Sequence, residues 1–232
     1  MKVKKGMILA AGFGKRMMPI TKKIPKPLLK IGEVTLLENC ILKLKDFGIE
    51  EVVINTHYLS NQIEHYLNEK NFDLKINIVE EKYILDTGGG ILNATSRYAD
   101  DPFIVLNPDT IWNQKHIEEF KMLEKIYFDT MHTALLLVNK SMSFDKSFKG
   151  DFNINDKGLI SRDKSNLMVY IGAQIINRKI FKNFKIKSFS MNDIWDKLIK
   201  KNSLVGIESK QKFLHLNNSE TYKKLLNEKT IH

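Results

Sequence analysis

Along the chain, short apolar runs rich in β-branched residues alternate with segments whose apolar positions recur at helical spacing. Residues 6–10 form the first expected strand. Over residues 35–47, Leu36, Leu37, Cys40, Ile41, Leu44 and Phe47 fall on one helical face, and Gly48 stands as a stop. The pattern then predicts a strand at 51–55 and a helix at 59–67, capped by Ser60 or an earlier polar residue. A strand at 74–79, a helix at 90–98 and a buried parallel strand at 103–106 follow. A helix at 114–127 and a strand at 133–138 continue the alternation. This βαβα order predicts an α/β fold with a doubly wound, mostly parallel sheet and right-handed crossovers. The later part is less regular. The polar stretch 141–165 carries an expected hairpin, 150–154 and 159–161, turning at Asn155-Asp156-Lys157-Gly158. A long strand at 167–176, a helix at 191–200 with Ile194, Trp195, Leu198 and Ile199 inward, two short strands and a terminal helix complete the pattern. No Pro/Gly/Ser-rich linker divides it, so residues 1–232 are expected to form one domain with a small β insert.

Composition narrows the class. A chain of 232 residues, 43% hydrophobic, holds enough apolar side chain for one large α/β core. The formal charge of +10 raises nucleic acid as a partner. The lysines, however, are spread along a chain also rich in Asn and Ile, only Arg16, Arg97, Arg162 and Arg178 are arginines, and no nucleic-acid motif appears. A solvated basic surface that steers polyanionic nucleotides into a cleft is the expectation instead. With Cys40 as the sole cysteine, no internal disulfide can form. The apolar run after the first lysines is too short for a signal segment, and none is long enough for a bilayer. A cytoplasmic protein without a membrane partner is expected.

The sharpest local signal is Leu9-Ala10-Ala11-Gly12-Phe13-Gly14-Lys15-Arg16-Met17, directly after the first strand. Met17 stands where a dinucleotide fingerprint needs its third glycine, and no Gly-Lys-Ser/Thr closes a Walker loop. Gly12 and Gly14, lacking Cβ, would let backbone N–H groups approach phosphates, with Lys15 and Arg16 adding charge. Pro25 and Pro27 bracket Lys26 and restrict its backbone, which suits a phosphate clamp. Asn107-Pro108-Asp109 ends the buried run 103–106, at the carboxyl edge where open parallel sheets bind ligands. A carboxylate there suits Mg²⁺, a hard cation that takes oxygen ligands.

Residues 9–17 and 25–28 resemble the sugar-phosphate nucleotidyltransferase family, whose members open with a strand, then L-A-A-G-x-G-x-R-M, then P-K-P-L. The similarity is greatest to the short N-acetylmuramate 1-phosphate uridylyltransferases and mannose 1-phosphate guanylyltransferase-like enzymes, strong to about residue 109 and looser beyond. It implies a Rossmann-like, glycosyltransferase-A-like fold with a nucleotide-binding half at about 1–110 and a sugar-binding half at about 111–232. It implies a Mg²⁺-dependent reaction between a nucleoside triphosphate and a sugar 1-phosphate, releasing pyrophosphate. Leu9, Ala10, Ala11, Gly12, Gly14 and Lys15 would bind the nucleotide, Arg16 the triphosphate, Lys26 the phosphates near the reacting centre, and Asp109 the metal.

The resemblance also gives base contacts to the stretch Asp86-Thr87-Gly88-Gly89-Gly90, and Glu81 stands where relatives often carry a base-reading Gln. Carboxylates accept hydrogen bonds only, which suits the ring N–H of uracil or guanine and leaves UTP and GTP both open. Asn107, Gly150, Asp151 and Tyr170 correspond loosely to sugar-binding segments, and Arg162 and Lys164 are candidates for a sugar-phosphate cation. One departure stands out: His215, in Phe213-Leu214-His215-Leu216-Asn217-Asn218, occupies the place of a second metal aspartate. Imidazole is a poor Mg²⁺ ligand, so a second metal is in doubt. His57, His65, His116 and His132 are expected at the surface or in packing, and Cys40 in the core. The expected activity is UTP-dependent, on N-acetylmuramate 1-phosphate or a similar amino sugar, as in cell-wall sugar recycling. A GTP-dependent mannose 1-phosphate enzyme and a non-catalytic nucleotide-sugar-binding regulatory subunit are the alternatives.

Overall fold

The computed structural model describes residues 1–163 and 165–227. In chain order its elements are β1 (Lys5–Leu9), β2 (Lys30–Ile31), β3 (Val34–Thr35), α1 (Leu36–Phe47), β4 (Glu51–Thr56), α2 (Ser60–Asn68), β5 (Lys75–Glu80), α3 (Asp86–Ala94), β6 (Pro102–Leu106), α4 (Lys115–Thr130), β7 (Thr133–Asn139), β8 (Asn153–Ile154), β9 (Ile160–Ser161), β10 (Met168–Asn177), α5 (Met191–Lys200), β11 (Leu204–Glu208) and α6 (Ser219–Asn227). A seven-stranded sheet runs in the order β11-β7-β10-β6-β1-β4-β5. Its pairings are parallel except where β10 runs antiparallel to β6 and β7. The mostly parallel mixed sheet expected from the pattern is present.

Alternate strand residues face opposite sides, and both sides are covered. Ile8, Ile54, Ile104 and Leu106 pack with α1, α2 and α4, whereas Met7, Val53, Phe103 and Val105 pack with α3 and α5. That double burial is why the strands read as unbroken apolar runs. The chain moves outward from β1 to β4 and β5, then returns to β6 on the other side of β1. The loops leaving β1 and β6 therefore diverge and open a crevice at their carboxyl ends.

Several local expectations need correction. Ser60 does not cap α2: Leu59 turns the chain with a left-handed φ of 53°, and the Ser60 hydroxyl is spent on Glu80 at 2.5 Å. Helix α3 begins at Asp86 rather than residue 90, because tertiary packing overrides the poor helix propensity of its glycines. The hairpin shortens to β8 and β9, since Phe152 bridges to Met168 instead. Among the described residues beyond 200 one strand forms, β11. The second expected strand is reduced to isolated bridges, Phe213 to Ser143 and His215 to Thr110. Among the described residues no helix is long and apolar enough to cross a membrane.

Candidate functional site

A cavity of about 370 Å³ opens at the carboxyl ends of β1, β4, β5 and β6, a size suited to a small-molecule ligand. The loop after β1 forms one wall. Gly14 has φ 62°, and a Cβ there would press on Thr21 at 3.0 Å and on the Lys26 Cβ at 3.2 Å. Glycine is thus required for the loop to close on the Pro25-Lys26-Pro27 segment. At Gly12 a Cβ would meet only open space, so nothing within the protein demands glycine there. Met17 is fully buried with Leu29, Leu36 and Leu216 and anchors the 3-10 turn Lys15–Met17. A buried side chain of that size contributes about 2 kcal/mol. Its neighbours Lys15 and Arg16 line the cavity. The Arg16 Nη1 donates to Asn217 Oδ1.

Lys26 and Asp109 meet across this cavity. The Lys26 Nζ donates to Asp109 Oδ2 at 2.6 Å, and His215 Nε2 lies 3.2 Å from the same oxygen. Burial pushes the Asp109 carboxyl up, but the charges and hydrogen bonds of His215 and Lys26 outweigh it and hold Asp109 well below the usual carboxylate range. One unit charge at about 4 Å contributes ~4 kcal/mol at an effective dielectric constant near 20. Asp109 Oδ1 is buried without a hydrogen-bond partner. An orphaned carboxylate oxygen fits a hard divalent cation. Among the described residues no cluster of three or more His, Cys, Asp or Glu is placed to hold a metal. Asp109 would therefore be the protein carboxylate for Mg²⁺, and phosphates would supply further oxygens.

The remaining wall is tied by a buried polar chain that periodicity did not reveal. Asn55 accepts from the Ala10 N–H at 2.9 Å and donates to Glu81 Oε1 at 2.7 Å, while Glu81 Oε2 accepts from the Leu85 N–H at 3.0 Å. Glu81 lines the cavity, but both its oxygens are engaged in the chain that ties the loops after β1 and β5 to Asn55 in β4. Asp86 and Thr87 reach the cavity as well. Asp86 has φ 57°, and its carboxylate accepts from the Thr87 N–H at 2.6 Å. Thr87 Oγ1 accepts from the Met191 N–H at 2.9 Å. Gly88 does not line the cavity, against the sequence expectation. The Gly88 and Gly89 N–H groups donate to the Phe189 carbonyl, and added Cβ atoms would collide with the Phe189 ring and the Lys187 carbonyl. Gly90 leaves room for Asn55 and Glu81. These glycines serve helix packing.

Among the expected sugar contacts, Asn107 lines the cavity, whereas Gly150, Asp151 and Tyr170 lie outside its lining. Gly150, at φ 93°, abuts the Asn166 carbonyl, and Asp151 Oδ2 accepts from the Tyr170 N–H at 2.9 Å. The Tyr170 hydroxyl is buried without a partner, and burial, then the Asp109 charge, push it up. Arg162 instead turns to Asp196 at 2.6 Å and to Asn192; Lys164 lies outside the described residues. Asn55 and Asn217 line the cavity and were not singled out from the sequence. A polar residue ending the apolar run Val52-Val53-Ile54 was the available signal for the first. Asn217 gave none without knowledge that its segment is extended.

The chain is similar to several known proteins. The chain is 27% identical over 218 residues to N-acetylmuramate alpha-1-phosphate uridylyltransferase of Caulobacter vibrioides, covering 90% of each. It is 28% identical over 202 residues to D-glycero-alpha-D-manno-heptose 1-phosphate guanylyltransferase of Campylobacter jejuni, covering 84% of this chain and 86% of the relative. A solved UDP-glucose pyrophosphorylase complexed with UDP-glucose superposes with a TM-score of 0.82 at 21% identity, covering 97% of this chain and 98% of that one. The last likeness concerns the fold. Residues 5–140 match the model of the nucleotidyl transferase family, and the chain belongs to that family.

Proposed function

We propose that this protein transfers a nucleotidyl group from a nucleoside triphosphate to a sugar 1-phosphate, releasing pyrophosphate, with UTP as donor and N-acetylmuramate 1-phosphate or a similar amino sugar as acceptor. The observation carrying this reading is convergence: Arg16 and Lys26 from the loop after β1, and Asp109 from the end of β6, line one cavity. A phosphate oxygen of the sugar 1-phosphate attacks the α-phosphorus in line. The bond from that phosphorus to the bridging oxygen breaks, and pyrophosphate leaves with the electron pair. Two anions must meet, so the protein's task is positioning and charge neutralisation, and no nucleophilic side chain is required.

Arg16 takes the triphosphate and the charge developing on pyrophosphate. Lys26 carries three N–H donors; with one on Asp109, two remain for phosphate oxygens. Mg²⁺ held at Asp109 supplies further neutralisation when bound. The open space at Gly12 lets phosphate approach the loop backbone. Asp86, an acceptor at the rim, suits the ring N–H of uracil or guanine. Residues up to about 110 then serve mainly the nucleotide and those beyond mainly the sugar, with Asn107, just after β6 where the two halves meet, and Tyr170 on the acceptor side.

The similarity to a uridylyltransferase over 90% of the chain supports UTP. The guanylyltransferase relative, of similar coverage, supports GTP as the alternative donor, with mannose or heptose 1-phosphate. His215 in place of a carboxylate favours a non-catalytic nucleotide-sugar-binding subunit as the reading of another class. A pyrophosphate-release screen of four triphosphates against a panel of sugar 1-phosphates, with Mg²⁺, separates the three. Release with UTP and an amino-sugar 1-phosphate is expected. Release with GTP alone would move the donor, and nucleotide-sugar binding without release from any pair would overturn catalysis.

A further inference from the structure

The segment after β11 brings Asn217 to the cavity wall and His215 to Asp109. It is held on one side by Ile111 N–H to the Leu214 carbonyl at 2.9 Å and Leu216 N–H to the Asp109 carbonyl at 2.7 Å. On the other side, Phe213 N–H donates to the Met142 carbonyl at 3.0 Å and Phe144 N–H to the Phe213 carbonyl at 2.9 Å. Leu216 is fully buried. Its neighbours in sequence, His215 and Asn217, reach Asp109 and Arg16 respectively.

We infer that Asn217 is the positioning residue for Arg16, oriented from behind by Asp145. This inference rests on the proposed transfer and adds to it a residue that holds the triphosphate-binding cation in place. The Asn217 Nδ2 donates to Asp145 Oδ2 at 3.2 Å. A carboxylate only accepts, so the amide must turn its NH₂ to Asp145 and its carbonyl to Arg16. Asp145 is itself fixed: its Oδ1 accepts from the Ser147 N–H at 2.9 Å, and its carbonyl from the Ser143 hydroxyl at 2.8 Å.

The choice of an amide matters for charge. A carboxylate at 217 would neutralise the guanidinium and lie against Asp145. The Asn217 carbonyl gives Arg16 a direction and leaves its full charge for phosphate. It engages one of the five guanidinium N–H donors, so the others stay available. The arrangement crosses from residue 16 to residue 217, so the loop that binds phosphate and the segment carrying His215 are mechanically joined.

A double-mutant cycle tests this. Asn217→Ala should lower kcat about tenfold, the scale of a misaimed catalytic group, while the KM for sugar 1-phosphate and the melting temperature stay near wild type. In an Arg16→Ala background the same substitution should have no further effect, because nothing is left to position. Asn217→Asp should weaken triphosphate binding more than Asn217→Ala. Equal costs of Asn217→Ala with and without Arg16, or a wild-type kcat for Asn217→Ala while Arg16→Ala is slow, would overturn the inference alone. A wild-type kcat for Arg16→Ala would overturn the role of Arg16 and this inference together. The same cycle read as triphosphate affinity by calorimetry reports the coupling even if no sugar 1-phosphate supports turnover; its absence there also counts against the inference.

Discussion

Lys26 and Asp109, 83 positions apart, are joined by a 2.6 Å ion pair at the base of the cavity. His215 and Lys26 together hold the carboxylate ionised against its burial, and Oδ1 is left without a partner. Asp109→Asn would remove the charge while keeping the shape, leaving Lys26 and His215 facing a neutral amide. Mg²⁺-dependent turnover should fall by at least about a hundredfold while triphosphate still binds. Pyrophosphate release against Mg²⁺ concentration checks this, beside calorimetry with the triphosphate. Wild-type metal dependence would place the site elsewhere.

Arg16 is exposed, and its neighbour Met17 carries the packing. Arg16→Ala should therefore leave the melting temperature almost unchanged. Loss of charge stabilisation at the departing pyrophosphate should cost about 3 kcal/mol, a hundredfold or more in turnover. Steady-state kinetics with a thermal melt separates the two effects, and a near-normal rate would exclude the role.

His215 rests with its ring 5.4 Å from Phe213 and 5.7 Å from Phe148, its Nε2 toward Asp109. We propose that His215, beside Asp109, serves the acceptor phosphate: His215→Ala should then chiefly raise the KM for sugar 1-phosphate, and His215→Asp should bring no gain. Higher activity and tighter Mg²⁺ dependence in His215→Asp would instead make this a metal position. A loss confined to stability in His215→Asn would make it a packing residue.

Gly89 has no space for a side chain: a Cβ would run into the Lys187 carbonyl, and the Gly89 N–H is bound to the Phe189 carbonyl at 3.1 Å. Overpacking against backbone should make Gly89→Ala less stable by about 2–3 kcal/mol, a fall of roughly 5 °C or more in melting temperature. Differential scanning calorimetry gives the answer. An unchanged melt with weakened nucleotide binding would return this stretch to the base contacts first expected of it.

Away from the cavity, Glu38 joins α1 to α2. Lys70 Nζ donates to both its oxygens at 2.7 Å, and the Tyr66 hydroxyl donates to it too. Burial raises the Glu38 pKa, but the bonds from Lys70 and Tyr66 prevail and lower it. A depressed carboxylate stabilises the fold above its unfolded value and loses that contribution as pH falls through the folded one. Glu38→Gln should accordingly melt a few degrees below wild type at neutral pH, and the gap should close below about pH 4.5. Melting curves across that range test the sign; a gap that widens in acid would reverse it.

The order of elements and the sheet class were legible because apolar periodicity reports burial residue by residue. The residues that converge on the cavity were legible because their needs are local: Gly14 must adopt a positive φ, Lys26 lies between two prolines, and Asp109 follows a buried strand at the sheet's carboxyl edge. Other decisions depended on distance. Gly88 and Gly89 look like glycines of a base-contacting turn until the segment 187–189 is seen packed against them. Glu81 looks free to read a base until Asn55 and Leu85 engage its oxygens. Whether Asn217 meets Arg16, 201 positions away, depends on how the last segment threads between β6 and the turn at residues 142–145. Local backbone preference determines a turn within a few residues. A long-range hydrogen bond is decided only when the packed core has fixed where both ends of the chain lie.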